Sequence, residues 1–166
     1  MESMLGLARR PSAYRRLTGR PFRRVHDRIV ADVTGAGLVP GQRILDVGTG
    51  PGDLALTLAR ALPGVRVDGI DRSADMIAYA TRTAEGRATF TAADAAHMPY
   101  PDGTFDLVVS SMSRHHWADA PGVLAEIRRV LAPAGRAWIY DARIALGKGA
   151  EPISWFFGCL RLDARD

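Results

Sequence analysis

The sequence predicts an α/β chain with a doubly wound, mostly parallel sheet. Three observations predict it. Short apolar runs rich in branched residues alternate with stretches whose apolar residues recur at helical spacing. Acids sit in these runs or just past their ends, at Asp46, Asp71 and Asp94. The first run passes directly into a glycine-rich turn, Gly48-Thr49-Gly50-Pro51-Gly52.

Taken in order, the chain opens with a basic leader. Residues Met1 to Arg28 hold eight arginines against Glu2 and Asp27, a local balance of +6 in a chain whose net charge is +4. Pro21 suits the first turn of a helix. Phe22, Val25, Ile29, Val30 and Val33 follow at helical spacing, so a helix is expected from Pro21 to about Ala36, ended by Gly37 and Pro40-Gly41. Ile44 to Val47 is the first strand, and the leucines from Asp53 to Leu62 mark the next helix. Pro63-Gly64 turns the chain into the second strand, Val67 to Asp71. Ser73 is a good N-cap for a helix with Met76, Ile77 and Ala80 at core spacing, and Asp75 suits its first turn. A short third strand precedes Asp94, and the turn Pro99-Tyr100-Pro101-Asp102-Gly103 precedes the fourth strand, Phe105 to Ser110. A loop, Ser111 to Trp117, leads to a helix from about Ala120 to Leu131 and a fifth strand, Ala137 to Asp141.

Composition bounds the answer. The chain has 166 residues, 47% hydrophobic and 24% charged, which fits one globular domain. No apolar run is long enough to cross a bilayer, and arginines from Arg9 onward interrupt any signal-peptide core. The single cysteine, Cys159, allows no intrachain disulfide and reads as a small core residue. No metal-ligand spacing of Cys and His appears. A cytoplasmic protein is the expectation. The basic leader could touch nucleic acid or anionic lipid. Its aromatics are only Tyr14 and Phe22, so a solvated helical face is favoured, with no nucleic-acid or membrane partner.

Strand, glycine turn and helix form the plan of a nucleotide-binding βα unit. A dinucleotide fingerprint spaces its glycines G-x-G-x-x-G. Here Gly48, Gly50 and Gly52 give G-x-G-x-G, and Asp53 takes the third dinucleotide position. A carboxylate there would repel a pyrophosphate. It is compatible with a ligand that lacks phosphate and carries a cationic centre, which points away from NAD and toward S-adenosylmethionine.

From about Arg20 to Asp141 this ordered set resembles the class I S-adenosylmethionine-dependent methyltransferases, especially their small-molecule, quinone-biosynthesis-like branch. The resemblance implies a Rossmann-like core at 41–141 beneath an N-terminal helical lid at 1–40, with Tyr14 and Arg20 as weak site candidates. It implies that Asp71 accepts both ribose hydroxyls, with Arg72 beside it. Asp94 would accept from the adenine amino group, and the Ala95 N–H would meet a ring nitrogen. Gly48, Thr49, Gly50 and Gly52 would line the methionine moiety. Asp46 would orient the turn or meet the ammonium. Met76 would lie on the adenine or in plain core, and Ser110 would border the cofactor at the end of the fourth strand. The loop Ser111 to Trp117 would floor the methyl-transfer site, and His115, less so His116, would take a proton from a hydroxyl acceptor.

The family's seven-stranded sheet normally ends in a strand hairpin. Only 25 residues follow Asp141, and Ile153, Phe156, Phe157 and Leu160 are spaced for one amphipathic helix. The expectation is therefore a shortened sheet with a helical tail at 142–166. The exposed edge of the fifth strand, or that tail, would then favour a symmetric homodimer. The function expected is methyl transfer to a small-molecule acceptor. The competing reading is a shortened, non-catalytic relative that binds the cofactor or acts as a partner subunit. An NAD-dependent oxidoreductase is disfavoured by Asp53.

Overall fold

The computed structural model describes residues 11–147, 149–154 and 156–164, with the side chains of its first helix described from residue 23. Helix α1 spans Pro11–Thr34, and strand β1 Arg43–Val47. Then come α2 (Asp53–Ala61), β2 (Arg66–Asp71), α3 (Ala74–Ala84), β3 (Thr89–Ala92) and β4 (Phe105–Ser111). A 3-10 turn over Arg114–His116 precedes α4 (Ala120–Val130) and β5 (Leu131–Ala142). The chain continues through a one-turn helix α5 (Arg143–Leu146), β6 (Glu151–Pro152) and β7 (Phe157–Asp163).

One seven-stranded sheet runs β3-β2-β1-β4-β5-β7-β6. β1 pairs in parallel with β2 and with β4, and these pair in parallel with β3 and β5. Order reverses at β1, so the C-terminal ends of β1 and β4 flank the crevice where such sheets bind ligands. Strands buried on both faces explain the near-continuous apolar runs. In β1, Ile44 joins Val25, Ile29 and Val33 of α1 and Leu54 and Leu58 of α2 on one face. Leu45 and Val47 join Val123, Ile127 and Val130 of α4 on the other.

The N-terminal helix begins ten residues before the expected Pro21, which lies inside it. Its C-terminal half is core: Ile29 and Val33 have no exposed surface. That half packs against the sheet. The side chains of Tyr14 and Arg20 lie outside the described residues.

The expected helical tail is overturned. Residues 157–163 form β7, antiparallel to β5, from Arg136↔Asp163 to Ala142↔Phe157, and β6 adds a short antiparallel rung. The same apolar residues serve both periodicities. In the strand, Phe157 joins Tyr140 and Cys159 on one face while Leu160 and Leu162 join Ile139 on the other. An isolated helix of two turns nucleates poorly, whereas β5 offers a whole row of backbone groups that burial obliges to pair. Arg161 completes the strand by placing its guanidinium 4.8 Å from the Trp138 ring centroid. The hairpin thought missing is present, and the open β5 edge on which a homodimer was argued is covered by the chain's own residues.

No helix among the described residues is long and apolar enough to cross a membrane.

Candidate functional site

The glycine turn is built by the strand ends around it. The N–H groups of Gly48 and Thr49 both donate to the Ile70 carbonyl at 2.9 Å, which ties the turn to β2. Gly50 donates to Asp71 Oδ2 at 2.9 Å. Asp71 Oδ1 accepts the Ser73 N–H at 2.8 Å, so one carboxylate organises both the first turn and the start of α3. Ser73 caps that helix by accepting the Met76 N–H. Gly50 has φ +54°, and nothing lies within 4 Å of where its Cβ would be. The turn therefore presents bare backbone to open space there, as a ligand cradle requires.

Asp46 lies beneath the turn, 1% exposed, with the Thr49 hydroxyl donating to it at 2.7 Å. Burial pushes its carboxyl up to about 7, against the Thr49 hydrogen bond, and the nearby Asp71 charge adds to the rise. Of its two expected roles, this geometry provides the orienting one.

The other expected residues divide. Asp94 is exposed and accepts the Ala96 N–H at 3.0 Å, with Ala95 half-buried beside it. Arg72 is exposed. Met76 is 4% exposed, which places it in the core. Ser110 has no exposed surface, and its hydroxyl is taken up by the Ser113 hydroxyl at 2.7 Å, so it offers no side-chain contact to a ligand.

Beyond β4 the chain turns sharply. Met112 has φ +54°, a left-handed conformation that costs a non-glycine residue energy. Its N–H is held by the Tyr140 carbonyl at 2.8 Å. Ser113 accepts from Trp117 Nε1 at 3.2 Å and reaches the Val47 carbonyl at 3.2 Å, which locks the loop onto the end of β1. The 3-10 turn then brings His115 against Asp141: Nδ1 lies 3.0 Å from each carboxylate oxygen. His116 stacks beside it, ring centroids 4.0 Å apart. Burial and the neighbouring His115 ring hold His116 below the usual imidazole range.

Asp141 was not among the expected site residues, and Ser113 was expected only as part of the loop Ser111 to Trp117. For Asp141 a signal existed: it is an acid at the end of a strand, the pattern that singled out Asp71. Ser113 and the left-handed Met112 leave no such mark in composition or spacing. A separate groove of about 430 Å³, lined by Arg43, Asp68 and Arg87 among others, lies at the opposite ends of the strands and contains no candidate residue. Among the described residues no cluster of His, Cys, Asp or Glu could hold a metal ion.

Comparison with known proteins places this geometry in a family. A family model described as a methyltransferase domain matches residues 44–135, more than half of the chain. A demethylmenaquinone methyltransferase of Thermus thermophilus is 47% identical over 103 residues, covering 60% of this chain and 47% of that protein. Among solved structures, a SAM-dependent methyltransferase from Aquifex aeolicus matches with TM-score 0.62 at 23% identity, covering 76% of this chain and 69% of that one, a likeness of fold. A Haemonchus contortus phosphoethanolamine N-methyltransferase solved with S-adenosyl-L-methionine matches with TM-score 0.60 at 31% identity, covering 72% of this chain and 28% of that one. The chain spans about half the length, or less, of the curated relatives it matches.

Proposed function

The chain belongs to the methyltransferase domain family, and we propose that it transfers the methyl group of S-adenosylmethionine to a small-molecule acceptor. The observation that carries this reading is the turn held by Asp71: three glycines at positive φ, one facing open space, joined by a 2.9 Å hydrogen bond to the acid ending the next strand. These residues fit the cofactor. Asp71 would hold the ribose hydroxyls with Arg72 alongside, Asp94 and Ala95 the adenine, and Gly48, Gly50 and Gly52 the methionine moiety. Thr49 and Asp46 would keep the turn in shape from beneath.

When bound, the cofactor supplies a methyl group already activated on a sulfonium. The protein's task is then mainly proximity and alignment, worth on the order of 7–11 kcal/mol in favourable cases. The loop from Met112 to Trp117, locked onto β1 through Ser113, would form the floor against which the acceptor is aligned. The non-catalytic alternative rested on a missing hairpin, and β7 removes that support.

The test is calorimetry with S-adenosylmethionine, S-adenosylhomocysteine and NAD. A second step measures S-adenosylhomocysteine release with a panel of phenols, amines and thiols. Binding of the first two ligands and turnover of one acceptor class are expected. Binding of NAD alone would overturn the reading.

A further inference from the structure

The N-terminal ends of β1, β2 and β3, opposite the glycine turn, enclose the groove of about 430 Å³. Small-molecule sites span roughly 300–1,000 Å³. The titratable side chains lining this one are Arg43, Arg66 and Arg87 against Asp68, a net charge of +2.

The register of the sheet gathers these cations. Arg43 and Arg66 open β1 and β2 and are partners across the pair. Like charges at facing strand positions repel. Arg87 stands two residues before Thr89, which opens β3 and pairs with Asp68. Glu85 (φ +50°) and Gly86 (φ +76°) are both left-handed, and this turn carries the chain from α3 to Arg87. Nothing lies within 4 Å of where a Gly86 Cβ would be, so the groove wall is open there. The helix ends do not account for the three arginines. C-termini of helices favour cations in their last turn, and α2 and α3 already carry Arg60 and Arg82 there.

The three guanidiniums differ in how they are held. Arg43 is fixed in place: Nη2 donates to Asp68 Oδ2 at 3.0 Å, and the guanidinium lies 5.0 Å from the Phe105 ring centroid. The Asp68 side chain is only 9% exposed, and Arg43 neutralises it. The Arg43 Nε is buried without an acceptor among the described residues. An unsatisfied buried donor costs energy until an acceptor reaches it. Arg87 pairs with Glu85 in an exposed contact. Such pairs contribute little, so Arg87 is free to take a stronger partner. Arg66 is exposed and has no ion pair among the described residues.

We propose that this groove binds a small molecule bearing a phosphomonoester, at a site separate from the glycine turn. A phosphomonoester carries about −1.5 to −2 charges near neutrality, which matches the lining. Its oxygens accept from several guanidinium forks at once, the geometry for which arginine is suited. Arg43 is the preorganised contact, and Arg66 and Arg87 join it from the starts of the neighbouring strands. The groove is larger than a phosphate alone, and Val65 and Ala88 give the organic body an apolar wall.

The experiment is an amide chemical-shift titration of the full chain labelled with nitrogen-15. The probes are ribose 5-phosphate, inorganic phosphate and uncharged ribose. Ribose 5-phosphate is expected to shift amides at 64–68 and 86–89 and to leave those at 48–53 in place. Half-saturation in the millimolar range or tighter is expected. Ribose should shift none of them. Inorganic phosphate should bind the same amides roughly 10-fold more weakly, because it leaves the apolar wall to water. Arg66→Ala and Arg87→Ala change exposed side chains, and each should weaken ribose 5-phosphate roughly 10-fold, the scale of a lost hydrogen bond to a charged group. Arg23→Ala, on the exposed face of α1, should leave the affinity unchanged. Absence of shifts at the groove amides overturns the proposal, as does affinity indifferent to both Arg66→Ala and Arg87→Ala. Equal affinity for ribose 5-phosphate and inorganic phosphate also overturns it, since the groove would then be a general anion patch.

Discussion

Gly48 and Ser113 are in direct contact: a Cβ on Gly48 would lie 2.4 Å from the Ser113 Cβ and 2.5 Å from its hydroxyl. Gly48 also has φ +74°, so an alanine there meets two penalties at once. The left-handed backbone alone costs roughly 1–2 kcal/mol. Ser113 cannot withdraw, because Ser110, Val47 and Trp117 hold it. Gly48→Ala is expected to lower stability by roughly 3 kcal/mol, combining the backbone cost with overpacking. It should also weaken S-adenosylhomocysteine binding at least about 10-fold. Thermal unfolding and calorimetry measure both, and wild-type behaviour would mean the loop after β4 yields freely.

Asp71 accepts two backbone N–H groups and is the expected ribose holder. Asp71→Ala should weaken S-adenosylhomocysteine binding by roughly 1.5–3 kcal/mol, the range for hydrogen bonds to a charged group. Titration calorimetry on folded variant reads this directly. An unchanged dissociation constant would place the ribose elsewhere.

Asp46 gives a pH signature. Its carboxyl is pushed up to about 7 in the folded protein, chiefly by burial, from an ordinary value of 3.8. The folded state therefore holds this proton more tightly than the unfolded chain between these values. By linkage the group's stabilising contribution is complete below about 4 and is lost as pH rises through about 7. Asp46→Asn keeps an acceptor for the Thr49 hydroxyl but has no proton to lose. Urea unfolding across pH 4–8 should show wild type losing stability relative to Asp46→Asn as pH rises, by on the order of a few kcal/mol. A pH-independent difference would show that Asp46 titrates normally.

Arg129 clamps the loop that precedes β4. It pairs with Glu126 at 2.7 Å, donates to the Met98 and Tyr100 carbonyls, and meets Asp102 at 2.8 Å. Glu126 in turn accepts the Met98 N–H. Arg129→Ala is expected to cost roughly 2 kcal/mol, because the Met98 and Tyr100 carbonyls and the Glu126 and Asp102 carboxylates lose a shared donor. Amide exchange should speed up at residues 96–103 more than in the sheet. Uniform exchange throughout the protein would assign Arg129 only a global role.

Local chemistry made much of this protein legible in its sequence. Glycines at 48, 50 and 52 are needed because the backbone there is left-handed, and Ser73 caps because a hydroxyl three residues ahead of an amide can reach it. Both are matters of a few neighbouring residues. The acids at 46 and 71 were visible for the same reason, since strand ends in a parallel sheet fall at predictable places. Tertiary structure alone decided the fate of residues 157–163, whose apolar pattern suits a helix and a strand alike; the unpaired edge of β5 chose the strand. It also decided the pairing of His115 with Asp141, 26 residues apart in sequence, and the contact of Gly48 with Ser113. It buried Ser110, which position alone had put at the cofactor's border. In each case the determining partner lies on a different strand, brought near by the register of the sheet, and no local pattern carries that register.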